Sequence, residues 1–79
     1  MKKFMMSAIF QDGTVDLCTV IEDKNQTNGC TFFRVEPADG NQIMTSEDFI
    51  ACDSTDELTD ELLGEYDHLQ KIEIKEMNS

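Results

Sequence analysis

The sequence predicts an α+β fold: a small antiparallel β-sheet of four to five strands, in the order β-β-β-β-α-β, with one acidic helix packed on one face. Three observations predict it. Asp12-Gly13 is a tight-turn signal set between two runs of alternating or β-branched residues. The segments CTFFRVE (30–36) and KIEIKEM (71–77) are rich in strand formers, and the second alternates with period two. Only one stretch, beginning at Ser54, has both a helix-start signal and helical apolar spacing. Seventy-nine residues without a repeat or linker make a single domain, 1–79. A chain of this length buries only about 60–65% of the surface its unfolded form exposes, so the core is small and no interdomain cleft is expected.

Taken in order, the first element is a hairpin. A two-residue turn at Asp12-Gly13 pairs Phe10 with Val15, Ala8 with Leu17, Met6 with Thr19 and Phe4 with Ile21, all on one face. The same register sets Lys3 opposite Glu22 and Lys2 opposite Asp23, where opposite charges favour the pairing. Residues 24–29 (KNQTNG) are a polar loop or a second hairpin turn. A third strand over 30–36 is expected to end at Pro37, and Asp39-Gly40 marks a turn into a short fourth strand over 41–45 carrying Ile43 and Met44. SEDFIAC (46–52) is compatible with a helical turn or with an extended segment docking Phe49 and Ile50. Ser54 with Glu57 fits a capping box, followed by Leu58, Leu62 and Leu63 as the apolar stripe and Gly64 as the stop. Residues 71–77 close the order as an edge strand with a charged outer face.

Apolar residues make up 39% of the chain and include five Phe, which suits a folded protein. Lys2 and Lys3 precede an apolar run, but Ser7 breaks it and Gln11 ends it, so no signal peptide is expected. Nothing approaches the ~18 apolar residues of a membrane span, and the expected location is cytoplasmic. Cys18, Cys30 and Cys52 are odd in number and widely spaced, which argues against a disulfide framework and for buried thiols. The sequon at Asn25-Gln26-Thr27 would matter only in a secreted protein.

Charge is the most uneven property. The net charge is −11, beyond the magnitude of about 2–8 that solubility asks of a small domain. Residues 47–67 hold nine acids and no base: Glu47, Asp48, Asp53, Asp56, Glu57, Asp60, Glu61, Glu65 and Asp67. Asp56 precedes Asp60, and Glu57 precedes Glu61, by four residues, and like charges at that spacing cost roughly 0.2–0.5 kcal/mol per pair. The dipole at the helix start offsets some of this for Asp56 and Glu57, but not for Asp60, Glu61 or Glu65. A local rule broken without structural return is where function is to be sought, although solvated acidic faces also serve solubility alone.

Catalytic and cofactor chemistry finds no footing. A calcium loop begun at Asp53 has Leu58 where its sixth position needs Gly, and loops begun at Asp56 or Asp60 place leucine at the third ligand. His68 is the only histidine, which leaves a zinc site without ligands and a Cys nucleophile without a local signature. A carboxylate pair for hydrolysis needs a cleft that raises one pKa, and the sequence points to none. The six bases are scattered, so direct nucleic-acid binding is not expected, and Phe32 and Phe33 read as core, with room for one of them to be exposed, rather than as a stacking platform. No cofactor and no metal are expected.

In size, charge segregation and lack of catalytic motifs the chain resembles the small acidic α+β inhibitors carried by phages and mobile elements. Those proteins block host nucleic-acid-binding machinery such as CRISPR effectors or restriction enzymes. The resemblance implies a non-enzymatic binding protein whose nine acids over 47–67 dock a basic groove, as a mimic of nucleic acid. Its partner would be a protein with a basic, nucleic-acid-binding surface, with no direct contact to nucleic acid or membrane. The alternative is a small accessory or regulatory protein that binds through apolar contacts at Phe33 or through the edge strand 71–77, with the acids serving solubility.

Overall fold

A computed structural model describes residues 2–24 and 29–77. Strands β1 (Lys2–Phe10), β2 (Val15–Lys24), β3 (Thr31–Pro37) and β4 (Glu47–Ala51) are followed by helix α1 (Thr55–Glu65) and strand β5 (Leu69–Glu76). All pairings are antiparallel, in the sheet order β4-β3-β2-β1-β5, so β4 and β5 are the edges. Helix α1 packs on one face through Leu58 and Leu62, both fully buried, with Leu63 partly buried beside them. The expected order and fold class hold. The expected turn over 24–29 and the sequon lie largely outside the described residues.

The first hairpin corrects the expected register by one residue. Its loop has three residues, not two: Phe10 N–H donates to Thr14 C=O at 2.8 Å, and Gly13 N–H donates to Phe10 C=O at 3.0 Å. Gly13 sits at φ +92, which a residue with a side chain adopts poorly, and the Asp12 carboxylate accepts the Thr14 N–H at 2.9 Å. Ile9 therefore pairs with Val15, Phe4 with Val20 and Lys3 with Ile21. Because strand faces alternate, this one-residue slip turns every β2 side chain over. Asp16, Cys18 and Val20 face the core with Phe4, Met6, Ala8 and Phe10, while Val15 and Leu17 face solvent. Charge pairing survives in part, with Lys2 opposite Glu22.

Burying Asp16, 1% exposed, requires partners, and the segment after β3 supplies them. Its carboxylate accepts backbone N–H groups from Gln42 at 3.1 Å, Ile43 at 2.8 Å and Met44 at 2.8 Å. The Asn41 side chain completes the join: its Oδ1 accepts from Leu17 N–H and its Nδ2 donates to Leu17 C=O. Side-chain groups thus replace a strand ladder, which is why residues 41–45 are irregular rather than the expected fourth strand. Burial opposes ionisation of Asp16, but the N–H groups of Met44, Gln42 and Ile43 outweigh it and hold its pKa below the ordinary value.

The fourth strand is instead Glu47–Ala51, so SEDFIAC is extended. Phe33 pairs with Ile50 and Val35 with Glu47, leaving Asp48 and Phe49 both opposite Arg34 in a β-bulge. The bulge turns Glu47 and Ile50 to the same side despite their odd spacing. A second bulge lies in β5, where Phe10 pairs with Leu69 and Ile9 with Lys71, so Leu69 joins Ile72 and Ile74 on the core side. Both edges of the sheet are interrupted, which discourages pairing with another chain's strand.

Ser54 caps α1 as expected, its Oγ accepting the Glu57 N–H at 3.2 Å. Glu57 reaches back one residue further than a capping box requires, its Oε2 accepting from Asp53 N–H at 3.1 Å. Gly64 lies within the helix and does not stop it. The end comes at Tyr66, whose N–H donates to Leu62 C=O at 3.1 Å and whose ring meets Phe10 edge-on at 6.4 Å. Cys18 and Cys52 are buried as expected, whereas Cys30 is exposed.

Candidate functional site

The acids of 47–67 divide into three environments. On and beside α1, Asp53, Asp56, Glu57, Asp60, Glu61 and Glu65 are all exposed, and Asp67 is exposed in the turn that follows. Helical geometry sets Glu57, Glu61 and Glu65 in one row, headed by Asp53, and Asp56 with Asp60 in a second. The apolar stripe of Leu58 and Leu62 fixes this display, because burying it rotates the two acidic rows outward. From Asp56 to Glu65 there is one carboxylate per ~3 Å of axis, compared with one phosphate per ~1.7 Å in duplex DNA.

Among the described residues the ion pairs are Arg34 with Glu36, Arg34 with Asp48, and Lys71 with Glu73. None involves an acid of the helix. Asp48 is the exception within the acidic segment: its Oδ1 lies 3.3 Å from Arg34 Nε, on the sheet face away from α1. The structure therefore does not bring Asp48 together with the other expected site residues.

Glu47 forms the third environment. It is half-buried at the start of β4, with its Oε2 shut off from solvent and without a hydrogen-bond partner. Burial, reinforced by the Glu65 carboxylate beside it, pushes its pKa up to about 7. Glu47, Asp60, Glu61 and Glu65 line an open groove of about 600 Å³ between β4 and α1, floored by Ile50 and Leu62. Burial also raises the pKa of the neighbouring Cys52 thiol, helped by the carboxylates of Glu57, Glu61 and Asp53. Negative potential thus extends from the helix down to its junction with the sheet.

Phe33 is completely buried and makes no surface for a partner, which corrects its place in the apolar alternative. Phe49 was the residue to look for, 74% exposed and edge-on to Phe32 at 6.2 Å. Its exposure depends on the β4 bulge, which strand alternation in the sequence does not reveal. Among the described residues no group of His, Cys, Asp and Glu is arranged to hold a metal ion, and no helix is long and apolar enough to cross a membrane.

The fold is that of a small α+β protein with one helix packed over one face of a five-stranded antiparallel sheet. Comparison with protein-family models, with curated proteins and with solved structures finds no match.

Proposed function

We propose that this chain is a non-enzymatic binding protein whose helix α1 and flanking acids dock a basic, nucleic-acid-binding groove of a partner protein. The observation that carries this reading is the set of six exposed carboxylates on and beside α1 with no ion-pair partner among the described residues. Lysine and arginine side chains that normally hold phosphate form charge-assisted bonds to carboxylates equally well. The finer assignment is an inhibitor of the phage or mobile-element type, acting on CRISPR effectors or restriction enzymes by occupying their nucleic-acid site.

The test is capture from a bacterial lysate on the immobilised chain at low salt, followed by elution with duplex DNA. A mimic releases its partner to DNA, and its hold weakens steeply as salt rises. The Asp56→Asn, Glu57→Gln, Asp60→Asn, Glu61→Gln variant should lose capture while melting no lower than the parent. Capture that survives these four changes would sink the reading.

A further inference from the structure

Helix α1 covers only one face of the sheet, and we propose that the other face docks a second copy of this chain, face to face about a two-fold axis running along the strands. Four of the exposed large apolar side chains lie on this face: Phe49 at 74%, Val15 at 54%, Met5 at 53% and Leu17 at 44%. Partly buried Ile21 and Phe32 join them, and Phe32, Phe49 and Ile21 line a small groove there. Phe49 adopts φ +60, a left-handed conformation unfavourable for a bulky residue, within the β4 bulge that turns its ring to solvent. An aromatic held in that way is suited to a partner's surface.

Charge identifies the occupant. The strand pairings place Lys3 on β1, with Lys71, Glu73 and Lys75 on β5, on this face. They place Asp23 on β2, Arg34 and Glu36 on β3, and Asp48 on β4 there as well. The β1–β5 half thus carries three bases against one acid, and the β2–β3–β4 half carries three acids against one base. The face is neutral as a whole, although the chain carries −11. A basic partner is drawn to the helix side, not here. Turning a second copy about a two-fold axis along the strands lays each positive half over the other copy's negative half. Met5 on β1 and Val15, Leu17 and Ile21 on β2 then meet along the seam, giving the self-complementarity an isologous interface requires. The two acidic helices point outward on opposite sides, ~30 Å apart, which exceeds the ~8 Å screening length at physiological salt several-fold.

Sedimentation equilibrium on the full chain, from about 1 to 100 μM, reads this directly. The expected species at the upper end has twice the 9.0 kDa chain mass. Leu17→Lys, on an exposed side chain, should weaken association at least about tenfold with an unchanged circular dichroism spectrum. Reversing one half with Lys3→Glu and Lys75→Glu should also weaken it, and adding Asp23→Lys and Glu36→Lys, which lie at similar heights along the strands, should restore it, a rescue that nonspecific adhesion does not produce. The four-acid helix variant should associate like the parent, which separates this surface from the one proposed for the basic partner. A 9.0 kDa species throughout the range, or association indifferent to Leu17→Lys and to the half reversal, overturns the proposal.

Discussion

Arg34 and Asp48 meet on the face of the sheet opposite the helix, with Nε and Oδ1 3.3 Å apart. Asp48 precedes Asp53 by only five positions, yet Asp48 lies on the sheet face away from α1 and Asp53 beside the helix start. Contributions to binding a basic partner should divide along the same line. Asp48→Asn should leave capture unchanged and cost at most ~1 kcal/mol of stability, as expected for an exposed ion pair. Asp60→Asn should weaken capture. Salt titrations of the two variants, run side by side, check the division.

The buried Asp16 carboxylate makes a stability prediction. Asp16→Ala removes the acceptor of three backbone N–H groups and should cost about 3 kcal/mol in urea unfolding. Its pKa is depressed in the folded state, so its contribution is complete above the unfolded value near 3.8 and is lost as pH falls through the lower folded value. The parent should therefore lose stability more steeply than Asp16→Ala below pH 3.8.

Glu47 behaves in the opposite sense. Its folded pKa of about 7 lies above the ordinary 4.5, so between those values the folded chain binds more protons than the unfolded chain. Stability should fall as pH rises from about 4.5 to about 7 and stay low above it. Glu47→Gln should flatten that window and stabilise the protein at pH 8 by about 1 kcal/mol, a figure reduced for solvent screening of a half-buried group. Thermal melts of both proteins across the pH range provide the measurement.

Phe49 tests backbone strain. Phe49→Gly relaxes φ +60 while removing a ring that is 74% exposed. It should leave the isolated chain as stable as the parent or up to ~1 kcal/mol more stable. Chemical denaturation at concentrations too low for association checks this, and a loss exceeding 1 kcal/mol would show that the contact with Phe32 outweighs the strain.

Much of the fold was legible because local signals agreed. Ser54 and the Leu58–Leu62 spacing marked the helix, β-branched and aromatic runs marked three strands, and the order followed. The hairpin register was not legible, because Asp12-Gly13 serves both a two-residue turn and the three-residue loop found here. Even residues of β1 are apolar in either case, so only β2 could discriminate. There Val15, Leu17 and Ile21 made the wrong face look more hydrophobic than the right one. Residues 41–45 misled for a related reason: Ile43 and Met44 suggest a strand, but the N–H groups of 42–44 turn toward the Asp16 carboxylate.

The sequence by itself determined the α+β class, the capped helix and the concentration of nine acids in 47–67, since each depends on residue type and short-range spacing. Tertiary structure decided which acids share a surface, that Asp16 rather than Leu17 is buried, and that Phe49 stands exposed on a neutral sheet face. Those outcomes rest on strand register and on two edge bulges. A shift of one residue there reverses the direction of every side chain beyond it, at a free-energy difference set by long-range partners that local spacing does not encode.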